Sequence, residues 1–347
     1  MLVDTMLPMD DWRAVAAAAK LAEEIGYDGV KTHEIKHDPF APLVLASVAT
    51  ERVQLSTGIV VAFPRSPMAV ANIARDIHAA SGGRFHLGIG SQVKGHNERR
   101  FSVPWTPPQP RMKEYVEALR AIWRCWETGE TLNYEGKHYN FTLMTPEFTP
   151  PRTGLPMFKV SIAAVGEAML RLAGQVCDGV RLHGFCTRKY TEEVVLRHVQ
   201  EGLERSGRRR DEFELIGGGF IATGPDEAAV RERMDWVRYR VAFYGSTRTY
   251  HGVFAVHGLE DLGHKLHRMS LAGQWNEMAK EVPDEVVCLF AAVGTYDEIA
   301  DAIAERFGGI ADWITLDFPP GTDRDLQREV LAKVRRIPTA LKTGRAA

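Results

Sequence analysis

Between Leu2 and Gly90 the chain alternates short apolar runs with stretches of helical period, and this alternation restricts the fold more than any other feature. Leu2–Met6 is expected as a strand. Asp10 and Asp11 offer an N-cap for a helix over residues 12–24, with acids at the positive end of its dipole. Gly26 closes that helix, and residues 27–32 follow as a second strand. A helix over 42–50, a third strand over 53–61 and a helix over 68–80 continue the pattern. Residues 81–92, SGGRFHLGIGSQ, then read as a glycine turn and a buried strand, with Phe85, Leu87 and Ile89 at alternate positions.

Alternation on this scale demands a parallel sheet with helices outside it. An open doubly wound sheet and a closed barrel both satisfy that demand. Further strand candidates at 157–162, Gly179–Leu182, 213–222 and 312–318 bring the total to eight and favour an α/β fold of the (β/α)8 TIM-barrel type. No repeat, low-complexity tract or linker divides the sequence, so residues 1–347 are read as one domain. Two stretches, about 93–156 and 223–310, exceed a strand–helix unit. The first carries a helix over 111–126, whose Met112, Tyr115, Val116, Leu119, Ile122 and Trp123 form one apolar core stripe, and a hairpin turning at Glu135-Gly136. The second holds helices at 225–242 and 297–307. Such insertions fall at the C-terminal mouth of a barrel, where they wall a substrate pocket.

The composition excludes several classes. A formal net charge of -2 offers nothing to nucleic acid or an anionic membrane. Four widely spaced cysteines make neither a disulfide framework nor a zinc site, and no HxxxH, HxH or CxxC spacing occurs. A serine nucleophile lacks its GxSxG elbow. The acidic start, MLVDTMLPMDD, is unlike a signal peptide, and no apolar run reaches membrane-span length, so a cytoplasmic protein acting on small molecules is expected.

Chemistry is sought at the strand exits. His33 and Glu34 follow the second strand, an imidazole and a carboxylate suited to acid–base work or simply a solvated pair. Small or apolar residues Gly58, Ile59 and Val60 lie near the end of the third strand, and Gly90, Ser91 and Gln92 leave the fourth. The fifth runs out in Ala163, Ala164, Val165, Gly166, Glu167 and Ala168, which reads either as a phosphate grip of free helix-start amides or as a tight turn with no ligand. His183, Cys186, His96 and Asp317 are lesser candidates. Gly88–Gly90 is no dinucleotide fingerprint, because Val93 stands where its third glycine belongs.

With these residues in place, the chain resembles the bacterial-luciferase-like superfamily, and within it the oxidoreductases that use coenzyme F420, a deazaflavin. The matching segments run in family order: GYDGVKTHE with HDPFAPL, TERVQLSTGIVVAFPRSPMAVA, SGGRFHLGIGS, PQPRMKEYVEALRAIW, VSIAAVGEAMLRLAGQVCDGV and VAFYGSTRTYHGV. The resemblance spans roughly residues 1–320. It implies a cis peptide at Gly58-Ile59, with Gly58, Ile59 and Val60 behind the middle deazaflavin ring. It also implies contacts from Gly90, Ser91 and Gln92 to the ring and its linker, and a phosphodiester held at Ala163–Ala168. The family's acidic residue after strand two falls on Glu34, while its histidine position falls on Ile35, leaving His33 or Glu34 as the proton donor. Hydride transfer to or from an alcohol, a carbonyl or an activated alkene is implied, and so is a homodimer. An FMN-dependent monooxygenase of the same barrel and a cofactor-binding barrel without turnover are the competing readings.

Overall fold

Strand identity in this chain follows the apolar runs, and strand ends follow the glycines. The computed structural model describes residues 1–341. Its strands are β1 (Leu2–Met6), β2 (Gly29–Thr32), β3 (Gln54–Thr57), β4 (Val60–Val61), β5 (Phe85–Gly90), β6 (Tyr134–Glu135), β7 (Asn140–Phe141), β8 (Lys159–Ala164), β9 (Gly179–Leu182), β10 (Glu214–Gly217), β11 (Phe220–Gly224), β12 (Ala291–Thr295) and β13 (Trp313–Thr315). Eight of them close a parallel barrel in chain order, β1, β2, β3, β5, β8, β9, β10 and β13, with β4 paired beside β5. Helices surround it, as in a (β/α)8 barrel. The described chain divides into two compact units. One holds residues 4–163 and 172–180, and the other the remainder.

In the first unit, β5 is buried at every position, from Phe85 to Gly90. The stretch expected as one strand over 53–61 is instead β3 and β4, interrupted at Gly58-Ile59, whose peptide bond is cis as the resemblance implied. Hydrogen bonds flank the interruption. Gly58 N–H donates to Thr32 O at 2.7 Å, Glu34 N–H to Ile59 O at 3.2 Å, and Ala62 N–H to Gly90 O at 2.9 Å. Thr57 adds a side-chain rung, its hydroxyl donating to Gly88 O at 2.8 Å and accepting from Gly88 N–H at 2.9 Å. The stripe on the helix Pro108–Thr128 is core: Met112, Tyr115, Val116, Leu119, Ile122 and Trp123 are all buried.

The hairpin of β6 and β7 does not turn at Glu135-Gly136. Glu135 pairs with Asn140, so the loop is Gly136 to Tyr139. The Glu114 carboxylate explains the wider loop by accepting from the amides of Lys137, His138 and Tyr139.

In the second unit, the stretch expected as one strand over 213–222 divides into β10 and β11, which lie in different sheets. Gly217 and Gly218 take φ of 79° and 109°, a conformation only glycine adopts cheaply, and this turns the chain between them. β11 pairs in parallel with β12, a strand the sequence reading missed. The helix Glu227–Gly245 follows, its N-terminus capped by Asp226 accepting from Ala229 N–H. Among the described residues no helix is long and apolar enough to cross a membrane.

Thr57 is wholly buried, so Thr57→Val keeps shape and leaves the Gly88 N–H and C=O without this partner. The expected loss is about 2 kcal/mol of stability, read as a lower urea midpoint at unchanged m-value.

Candidate functional site

The exit of β2 carries the densest chemistry in the first unit. Glu34 is nearly buried, its side chain 6% exposed, and its carboxylate is committed. It accepts from Val61 N–H at 2.7 Å and from Arg65 Nη1 at 2.8 and 2.9 Å. Arg65 Nη2 reaches Asp38 at 3.1 Å, and Asp38 also accepts from the amides of Phe40 and Ala41 that open the helix Ala41–Ala49. Burial pulls the Arg65 guanidinium down, but Glu34 and then Asp38 outweigh it and leave it raised above its ordinary value. His33 is half-buried beside this pair. Sequence reasoning missed Arg65; the signal was a lone cation in the apolar loop AFPRSP.

Glu34 is bonded on both sides of Val60, its N–H donating to Ile59 O and its carboxylate accepting from Val61 N–H. Ile59 leans on β5: a Cβ on Gly90 would stand 2.9 Å from its Cδ1 and 3.4 Å from Ala163 Cβ. Glycine at position 90 is therefore a condition for that side-chain placement. Beyond it, Ser91 O accepts from Asn97 Nδ2 at 2.9 Å, and Gln92 adopts a φ of 56°, its Oε1 accepting from Val93 N–H. Arg111, also missed, lies over the Phe63 ring at 4.5 Å and donates to Tyr139 Oη at 3.0 Å. The buried Tyr115 hydroxyl has no hydrogen-bond partner among the described residues.

In the second unit, Ala164, Val165 and Gly166 lead into the helix Glu167–Val176. Met169 N–H already donates to Gly166 O at 3.1 Å, while the amides of Glu167 and Ala168 precede any intrahelical acceptor, and Gly166, Glu167 and Ala168 are exposed. Nothing lies within 4 Å of where a Cβ on Gly166 would be. The Glu167 carboxylate pairs with Arg171 at 3.4 Å and His198 at 3.4 Å. Val165 O accepts from Tyr190 Oη at 3.0 Å, which pins the turn. Open amides of this kind suit an anion.

His183, at the exit of β9, stands among aromatic rings, with centroids 4.2 Å from Tyr244 and 5.1 Å from Tyr250. Its Nδ1 accepts from Phe185 N–H at 2.9 Å, which leaves the proton of a neutral ring on Nε2. Burial, with Arg240 adding to it, pushes the imidazole down to about 4. Cys186 is buried with its Sγ 3.3 Å from Thr191 Oγ1, and burial pushes the thiol up. Among the described residues no cluster of three or more His, Cys, Asp or Glu could hold a metal ion.

The family model for luciferase-like monooxygenases matches residues 3–312. An uncharacterized Mycobacterium tuberculosis protein, Rv1360, is 44% identical over 310 residues, covering 89% of this chain and 91% of that one. The 5,10-methylenetetrahydromethanopterin reductase of Archaeoglobus fulgidus is 28% identical, with 90% and 92% covered. Among solved structures, the coenzyme F420-dependent tetrahydromethanopterin reductase of Methanopyrus kandleri superimposes with a TM-score of 0.74 at 20% identity, over 97% of this chain and 98% of that one.

Two expectations follow from the charged groups. Arg65→Met strands the Glu34 carboxylate in a nearly closed environment and is expected to cost about 3 kcal/mol in urea unfolding. The double substitution with Glu34→Gln should recover part of that loss. His183 should titrate near 4 by NMR rather than at its ordinary 6.5. An unfolded chain binds that proton more readily, so the contribution of His183 to stability is intact above 6.5 and is lost as pH falls towards 4.

Proposed function

The chain belongs to the luciferase-like monooxygenase family, and from that membership we propose that it is a coenzyme F420-dependent oxidoreductase transferring a hydride between the deazaflavin ring and a small organic substrate. An alcohol/carbonyl pair or an activated alkene is the substrate class proposed. The observation that carries the reading is the braced wall at Gly58, Ile59 and Val60. The Glu34–Arg65 pair ties it to the exit of β2, and Gly90 gives Ile59 room. The similarity to the coenzyme F420-dependent reductase of Methanopyrus kandleri supports the choice of cofactor.

When bound, the deazaflavin supplies a ring carbon that gives or takes a hydride and does not readily activate oxygen. The chain's own residues have three tasks in this reading. Gly58, Ile59 and Val60 would back the ring, while Gly90, Ser91 and Gln92 would line it. Ala163, Ala164, Val165, Gly166, Glu167 and Ala168 would hold the phosphodiester through main-chain amides, which the exposure of Gly166 to Ala168 favours. The proton is assigned to His33. Both Glu34 oxygens are already bound to Arg65, so protonating Glu34 would displace that pair. Glu34 acts in this reading by fixing Val61 and, with it, the ring wall.

The homodimer that the resemblance implies is proposed on the helix Ala41–Ala49, where Val44, Leu45 and Val48 are 41%, 38% and 76% exposed. Val48→Glu is expected to shift the sedimentation coefficient from dimer towards monomer. An unchanged sedimentation profile would assign the dimer elsewhere.

The cofactor assignment is tested by equilibrium fluorescence quenching with oxidised coenzyme F420 and, separately, with FMN. Tight binding of the deazaflavin and weak binding of FMN is the expected result. The reverse would move the protein to the monooxygenase reading, with oxygen uptake as its assay. Binding of neither removes the enzymatic reading and leaves the Ala163–Ala168 segment as a turn. In the active enzyme, His33→Ala should lower turnover about a hundredfold and leave coenzyme affinity unchanged. Glu34→Gln should weaken coenzyme binding as well.

A further inference from the structure

The acid–base and cofactor residues leave one group of the second unit unused, the aromatic cluster around His183. It is built from elements far apart in sequence. Gly184 admits the Phe220 ring, which would lie 2.5 Å from a Cβ at that position. Trp236 meets Phe220 edge-on at 5.7 Å, and Arg240 lies over the Trp236 ring at 4.9 Å. Arg240 Nη1 also reaches Tyr244 Oη at 3.4 Å, and Tyr244 stacks edge-on against His183. Phe243 and Trp275, 5.9 Å apart, extend the cluster into solvent, at 39% and 43% exposed.

The polar groups of this cluster share one character. His183 Nδ1 is occupied by Phe185 N–H, so the ring presents Nε2–H as a donor, and that nitrogen has no partner among the described residues. Arg240 makes no ion pair among the described residues. The Tyr244 hydroxyl accepts from Arg240 at 3.4 Å and keeps its own proton to donate. Burial and then Tyr244 push the Tyr250 hydroxyl up to about 12, so it too stays a donor. Among the described residues, burial and then the Arg240 cation act on His183, both disfavouring its charged form. Three kinds of donor, one unpaired cation and flat apolar walls favour an acceptor oxygen bearing negative charge on a planar body.

We propose that the His183–Tyr244–Arg240 cluster is a binding site for a planar conjugated organic anion, with a carboxylate or enolate-type oxygen on His183 Nε2–H and Arg240. As the substrate site, the cluster rests on the hydride-transfer reading. There a neutral imidazole donor would meet the substrate oxygen that gains charge when hydride adds to a conjugated carbonyl, with the electron pair moving onto that oxygen. As a binding site it stands without that reading.

The experiment uses the full chain without cofactor and two probes with the same body, cinnamate and cinnamyl alcohol. Binding is followed by the ¹⁵N shift of the His183 imidazole and by tryptophan fluorescence. Cinnamate is expected to bind, to shift His183 Nε2, and to bind about tenfold more tightly than the alcohol. Arg240→Met and His183→Ala should each weaken cinnamate by about tenfold, with His183→Gln restoring part of the loss through its amide N–H. Equal affinity for both probes, or binding indifferent to Arg240→Met, overturns the anion assignment. Absence of a His183 shift at saturating cinnamate overturns the site. Coenzyme F420 titrated into wild type and His183→Ala separates the two conclusions. Coenzyme binding without cinnamate binding overturns this proposal alone. Cinnamate binding without coenzyme binding upholds the site and removes the hydride-transfer reading.

Discussion

One carboxylate holds the interruption of the third barrel strand in place. Glu34 leaves β2, accepts from Val61 N–H in β4, and is clamped by Arg65 from the loop that follows. Arg65 passes the tie to Asp38, and Asp38 caps the helix Ala41–Ala49 through the amides of Phe40 and Ala41. One chain of polar contacts thus fixes a strand exit, a broken strand and a helix start. A buried carboxylate is costly unless paired and hydrogen-bonded. Glu34 meets both conditions, which is why its removal and the removal of Arg65 are not equivalent. The site's geometry here is a matter of ion pairing first and of side-chain reactivity second.

How much of this was legible in the sequence depended on the kind of atom involved. Main-chain features were readable where glycine and periodicity write them locally, as in the β5 strand and the Gly26 helix end, whereas the Gly58-Ile59 break came from the family resemblance and not from the local pattern, which read 53–61 as one strand. The failures have physical causes as well. LIGGGFIATG is apolar on both sides of its glycines, so β10 and β11 read as one strand, although Gly217-Gly218-Gly219 was itself a breaker signal. The β6–β7 loop was set by Glu114, which lies on another element. β12 is a short run between two helices and finds its partner across the whole insertion. Side-chain chemistry was the least legible. Nothing in the sequence joins Glu34 to Arg65, or His183 to Tyr244, because both pairings are made by the fold.

The second unit shows why a buried cation is not by itself a site. Arg306 is buried without a carboxylate partner, yet its Nη2 donates to the carbonyls of Cys186 and Gly218. Those bonds join the loops beyond β9 and β10, and burial pulls the guanidinium down to about 10. Its Nη2 is used up inside the protein, and its Nε is buried with no partner among the described residues. Both guanidinium groups lie over an aromatic ring, but Arg240 is only partly buried and, among the described residues, its hydrogen bond is a long one to a phenol. The contrast is between a donor consumed by the fold and a donor the fold presents.

The same distinction explains the state of His183. Its tautomer is set by one contact, the Phe185 amide on Nδ1, and its neutrality by burial first, with the Arg240 cation adding to it. An imidazole free at Nδ1 could present a lone pair in place of a proton, and one without Arg240 would be easier to charge near neutrality. Together they give a donor that carries no charge of its own, placed in a locally positive field. Such a group can strengthen its hydrogen bond to an oxygen as that oxygen gains charge, without giving up its proton first. A histidine meant to shuttle protons at neutral pH needs the opposite environment. In the proposed reading that role falls to His33, which adjoins in sequence the carboxylate that Arg65 has already claimed.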